Sequence, residues 1–138
     1  MSKTAIAGEF HREADPHSRE GRSALAKMIC TLFDLWKLST QDQTALLGLS
    51  EASRTTLVRY RKGEPLAEQR DLLDRVANLL AIHRSLRILF PKNRELAYRW
   101  PTTPNAAFDG RSPVQVIKEE GFTGLLIVRR YLDFQRGQ

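Results

Sequence analysis

Between residues 25 and 36, Leu25, Met28, Ile29, Leu32, Phe33 and Trp36 fall at i, i+3, i+4, i+7, i+8 and i+11. An α-helix turns once in about 3.6 residues, so this spacing lays all six along one helical stripe and on no single face of a strand. The same period returns between residues 67 and 90. There Leu72, Leu73, Val76, Leu79, Leu80, His83, Leu86 and Leu89 or Phe90 form a second, longer stripe. No run alternates strictly and β-branched residues are scattered. The chain is expected to be all-α.

With 138 residues it has room for one domain or two very small modules. Its 41% apolar and 28% charged residues exclude a fully disordered chain. Cys30 is the only cysteine, so no disulfide framework exists. It is read as a small core residue, not a nucleophile. No apolar run reaches the roughly 18 residues of a membrane span. Lys3 is followed by Glu9, His11, Arg12, Glu13 and Asp15 rather than a signal core. A cytoplasmic protein is expected.

Residues 1–21 are polar and aperiodic, with Gly8, Pro16 and Gly21 as breakers, and read as a flexible tail. His11 and His17 stand in it without a cysteine partner and are read as solvated. Ser39 and Asp42 make a capping box for a short helix over 40–47, ended by Gly48. Ser50 or Ser53 caps a further helix that runs through Leu57 and Tyr60 to Gly63, where Glu64-Pro65 closes it. After the long stripe, Pro91 breaks the chain and a short helix over 94–100 follows. Asp109-Gly110 forms a turn. Ser112-Pro113 starts another helix that stops at Gly121, and a last one begins near Thr123. That last helix holds Leu125, Leu126, Val128, Leu132 and Phe134, more apolar residues than one core-facing side accommodates, so some should face a partner.

The net charge is +6, with 22 basic and 16 acidic residues. Within residues 54–63, Arg54, Arg59, Arg61 and Lys62 stand without an acid. Such a block is either a solvated helix face or the footprint of an anionic partner such as nucleic acid. Its setting supplies the context: residues 40–63 have the order short helix, glycine turn, second helix, which is the layout of a helix-turn-helix. Ala45, Leu49, Leu57 and Tyr60 can lock the two helices. Thr40 and Gln41 stand where a first helix meets a phosphate. Ser53, Arg54, Thr55 and Thr56 open the second helix, where base edges come within reach. Arg59, Arg61 and Lys62 suit phosphates. The turn is about three residues longer than in the tightest helix-turn-helix. The alternative is a helical hairpin that binds no DNA.

Residues 39–65 resemble Xre-type regulators. Residues 71–133 resemble, more specifically, the toxin-binding domain of the Xre/MbcA/ParS antitoxins. The resemblance is carried by Trp100, Pro104-Asn105, Phe108, Gly110, Arg111, Ser112, Pro113 and Gly121 before an apolar terminal helix, and it spans residues 23–136. Val114 and Val116 stand where the family usually has leucine or another aliphatic. The resemblance implies an N-terminal helix-turn-helix module over 22–66 and a helical toxin-binding and dimerisation domain over 67–138. It implies a type II antitoxin whose partner is a RES-domain toxin that depletes NAD, whose C-terminal region covers the toxin's active site, and whose helix-turn-helix represses its own promoter as a homodimer. Arg129, Arg130, Tyr131, Phe134 and Arg136 are the candidates for toxin contact, with Arg111 a second choice that serves equally to tie down its loop. Arg129 and Arg130 read equally as solvated.

No enzyme is expected. No paired carboxylates, Cys/His metal set or glycine-rich phosphate loop is present, and Glu119 and Glu120, adjacent on a helix, point apart. No cofactor, metal, membrane or small-molecule substrate is implied. Two other readings remain: a stand-alone dimeric helix-turn-helix regulator without a toxin, and a partner-binding protein that has lost DNA affinity.

Overall fold

The computed structural model describes residues 15–50 and 52–137. They form six α-helices and no strand. These are α1 (Arg19–Leu35), α2 (Thr40–Leu46), α3 (Arg54–Arg61), α4 (Arg70–Leu89), α5 (Arg94–Arg99) and α6 (Pro113–Arg136). Two 3-10 turns, Trp100–Thr102 and Ala106–Phe108, join α5 to α6.

Helix α1 starts at Arg19, inside the segment expected as tail. Ser18 is the reason: its side chain accepts from the Gly21 N–H at 2.9 Å and caps the helix. The expected stripe is buried at Ile29, Leu32, Phe33 and Trp36, but Met28 is 52% exposed. His17 is exposed, and His11 lies outside the described residues. Cys30 is buried, which pushes its thiol upward, as fits a core residue.

The long helix begins at Arg70, later than the expected residue 67. Residues 64–69 form a non-helical link instead, with a bend at Glu68. Leu66 is fully buried, and its N–H and C=O are bound by the Arg22 carbonyl and by Arg22 Nη1. Helix α4 is the centre of the fold. It packs against α1, α5 and α6, and buries Ile82, Asn78 and Ser85 beside the expected leucines.

Helix α6 is one element with a break. Gly121 has φ 64 and ψ −140, a conformation open to glycine. The two expected helices meet at this kink. Before it, α6 packs on α2, where Lys118 pairs with Asp42 at 2.6 Å. After it, Leu125, Val128 and Leu132 pack on α4. Gly124 sets how tightly the kink folds, because an added Cβ would lie 2.5 Å from the Val116 carbonyl oxygen. One hydrophobic core runs from Ala26 to Leu132 through every helix. Gly124→Val should therefore lower stability by about 1–3 kcal/mol, the cost of overpacking. A denaturant titration checks it, and an unchanged midpoint would contradict this account of the kink.

Candidate functional site

Two surfaces gather the functional candidates. The first is built by α2 and α3. Ser39 caps α2 by accepting from the Asp42 N–H at 3.1 Å. The expected box is half formed, since the Asp42 carboxylate turns to Lys118. Gly48 (φ 70) ends α2 with Gly48 N–H on the Ala45 carbonyl and Leu49 N–H on that of Thr44. The connection from Leu46 to Arg54 is longer than in a tight helix-turn-helix. Ser53 stands at the N-cap of α3 without a side-chain capping bond; its hydroxyl lies 3.2 Å from that of Ser50. Leu57 and Tyr60 bury one side of α3, while Leu46 and Leu47 do most of the locking from α2.

The opposite side of α3 faces solvent with Arg54, Thr55, Arg59 and Lys62. Thr56 and Ser53 are half-buried. Thr40, Gln41 and Arg54 line one cleft of about 270 Å³, so the first helix's start and the second helix's start converge. Val58, 50% exposed, lies amid this face. It went unnoticed in the sequence, although its place one residue from Leu57 and two from Tyr60 puts it off the buried side. An exposed aliphatic there suits a thymine methyl. Arg61 differs from its expected place. Its Nη1 donates to Asp34 at 2.7 Å and its Nη2 to Gln43 at 3.5 Å. The Asp34 hydrogen bond raises its pKa further. Arg61 thus ties α3 to α1, and Arg59 reaches Glu64 at 3.7 Å.

The second surface lies at the C-terminus. Trp100 stacks on Tyr131 with centroids 6.2 Å apart, and Phe108 sits edge-on to both. Asn105 holds the intervening loop, its Oδ1 accepting from the Ala107 N–H at 2.9 Å. Phe108, Ile127, Arg130, Tyr131 and Phe134 line a shallow apolar cleft of about 450 Å³, with Phe134 66% exposed. Positions 127, 130, 131 and 134 follow the helical i, i+3, i+4, i+7 rule, so they form one outward stripe. Ile127 was not singled out in the sequence.

The other toxin-contact candidates point elsewhere. Arg129 Nη1 donates to Asn78 Oδ1 at 2.8 Å, and Arg136 Nη1 to Ser85 Oγ at 3.2 Å. Both arginines clamp α6 to α4 and satisfy buried polar groups. Arg111 Nη1 donates to Glu119 at 3.0 Å and Glu120 at 2.9 Å, while its Nε donates to the Phe108 carbonyl. These carboxylates raise its pKa. The acidic pair, expected to point apart, converges on one guanidinium because it ends the helical run just before the Gly121 kink.

His83 is half-buried and stacks on Tyr98 at 5.8 Å. Burial lowers its pKa, with Arg87 and Arg84 adding to the effect. The unfolded chain therefore takes up the proton first as pH falls through about 6.5. That makes the folded state lose stability as pH falls below about 6.5. Melting curves should show this loss, and His83→Phe should flatten it; an equal slope in both proteins would contradict the assignment. Arg129→Ala should cost about 1–2 kcal/mol by leaving Asn78 under-bonded, whereas Arg130→Ala should stay within about 0.5 kcal/mol. Equal melting shifts in the two would contradict the division between clamp and outward face.

Among the described residues, no helix is long and apolar enough to cross a membrane, and no cluster of acids, histidines and cysteine is arranged to hold a metal ion. Two family descriptions match the chain. Residues 15–81 match the antitoxin Xre-like helix-turn-helix domain, and residues 85–137 match the antitoxin Xre/MbcA/ParS C-terminal toxin-binding domain. The chain is also 34% identical over 127 residues to an uncharacterized protein, y4oB, of Sinorhizobium fredii (strain NBRC 101917 / NGR234), covering 91% of this chain and 95% of that protein. The helix-turn-helix face of α2 and α3 and the outward stripe of α6 are each carried by the matching domain, and the chain belongs to the Xre-type antitoxins of toxin–antitoxin systems.

Proposed function

We propose that this antitoxin neutralises a RES-domain, NAD-depleting toxin by laying the outer face of α6 over the toxin's active site, and that it represses its own operon through α3. The observation that carries the toxin half is the stripe of Ile127, Arg130, Tyr131 and Phe134 beside Phe108. It is an exposed apolar surface with one cation at its centre, inside the domain whose family is described as toxin-binding. Exposed apolar patches of this kind mark protein interfaces, and an arginine's planar fork suits a site shaped for phosphates or acids. Arg111, Arg129 and Arg136 act here as positioning residues, holding the loop and α6 in place for the stripe. No catalytic role is proposed for any of them.

The repressor half rests on the exposed face of α3. Arg54, Thr55, Ser53, Thr56 and Val58 meet base edges, and Arg59, Lys62, Thr40 and Gln41 meet phosphates. Arg61 joins them only if it leaves Asp34. A homodimer would set two such faces on paired half-sites. The stand-alone regulator keeps the α3 face but gives the α6 stripe no toxin to cover.

The two halves separate experimentally. Phe134→Asp should weaken the toxin complex by about tenfold or more, the loss of an interface anchor, while operator binding is retained. Lys62→Ala should reduce the salt slope of operator binding by about one, and Arg54→Ala should relax sequence preference. Titrations against toxin and against operator DNA read both. Unchanged toxin affinity in Phe134→Asp would remove the stripe from the interface. Unchanged operator binding in Arg54→Ala would remove α3 from the groove.

A further inference from the structure

A third surface lies apart from the α3 face and the α6 stripe. Asn78 and Ser85 turn towards α6, but Leu80 and Arg87 stand two residues further on, roughly 200° around the α4 axis. There α1, α4 and α5 leave two apolar depressions. One, of about 580 Å³, is walled by Leu35, Trp36 and Tyr98 and rimmed by Lys37, Arg94 and Arg99. The other, of about 260 Å³, is lined by Met28, Leu32, Leu35, Leu80 and His83. Leu35, 39% exposed, is the wall they share, and Tyr98 of the first stacks on His83 of the second. The two adjoin at Leu35 and at the Tyr98–His83 stack, and together they are termed the trough. Met28 and Leu35 fall outside residues 85–137, the region matched as toxin-binding, whereas Arg94, Tyr98 and Arg99 fall within it.

Three features say what covers it. The buried polar atoms left without a hydrogen-bond partner among the described residues are Trp36 Nε1, His83 Nδ1 and Arg87 Nη1. Trp36 lines the first depression and His83 the second, while Arg87 lies close enough to His83 to disfavour its protonation. Native proteins rarely strand such atoms, and two of the three belong to side chains that line these depressions. The charge agrees. Lys37, Arg94 and Arg99 rim the first depression with Asp34 and Glu95, and Asp34 is already paired with Arg61 at 2.7 Å. Arg84 and Arg87 flank the second. Two adjoining apolar depressions fit a rod with side chains at helical spacing better than a compact molecule.

We propose that the α1–α4–α5 trough is a docking site for an acidic amphipathic helix of a partner protein, with apolar anchors on Leu35 and carboxylates on Lys37, Arg94 and Arg99. A second copy of this chain fits less well, because two cationic rims would oppose each other. This surface is independent of the toxin stripe and of α3.

The test uses the full chain and a fluorescein-labelled helical peptide of about 18 residues, with leucines at i, i+3, i+4 and i+7 and glutamates elsewhere. Its partner probe carries lysine in place of glutamate. Anisotropy should show saturable binding of the glutamate peptide alone. Arg94→Glu with Arg99→Glu should weaken it about tenfold or more, and so should Leu35→Ser, with operator affinity and melting temperature preserved in both. The proposal is overturned if the glutamate peptide does not saturate, if the lysine peptide binds as well, or if both variants leave binding unchanged. It is also overturned if sedimentation shows Leu35→Ser converting a dimer to monomers, which would assign the trough to a second copy.

Discussion

Helix α6 must lie against two partners at once. Before Gly121 it packs on α2 of the helix-turn-helix; after Gly121 it packs on α4. A straight helix cannot follow both surfaces. The positive φ of Gly121 turns the chain, and the bare Cα of Gly124 lets the two arms close to van der Waals contact. Arg75 fills the junction. It pairs with Asp71 at 2.9 Å, lies over the Phe122 ring at 5.8 Å, and leaves no room for a side chain at Gly48. The helix-turn-helix and the C-terminal domain thus share one core.

That sharing makes the polar clamps understandable. Arg129 and Arg136 reach from α6 to Asn78 and Ser85, buried polar residues of α4. A buried polar group costs free energy unless bonded, so the two arginines fix the register of α6 on α4. With α6 so fixed, Ile127 and Phe134 lie exposed on its outer side beside Tyr131, which packs on Trp100 and Phe108. The same logic joins α3 to α1 through Arg61 and Asp34.

Much of this was legible in the chain itself. The all-α class followed from two apolar stripes, and the helix starts at Ser39 and Ser112 and the break at Gly121 followed from capping and glycine chemistry. The start of α1 was missed because Ser18 lies in a polar stretch without periodicity, so only its accepted Gly21 N–H reveals it. The start of α4 was misplaced because Arg22, 44 residues away, binds the Leu66 backbone and keeps it out of the helix. Among the site residues, identity did not reveal direction. Arg129 and Arg130 are adjacent and chemically alike, yet one clamps Asn78 and the other lines the apolar cleft. Only the packing of α6 separates them. Val58 and Ile127 escaped notice because an exposed aliphatic reads as core until the buried side of its helix is known.

The account rests on the antitoxin holding its toxin through the C-terminal arm of α6. The most direct measurement is co-expression with the product of the adjacent reading frame, tagged, followed by size exclusion and by cellular NAD. The account predicts a stable complex with normal NAD, and a collapse of NAD when residues 122–138 are deleted. No complex, with NAD unaffected by the deletion, would contradict it and leave a helix-turn-helix regulator whose α6 stripe serves another purpose.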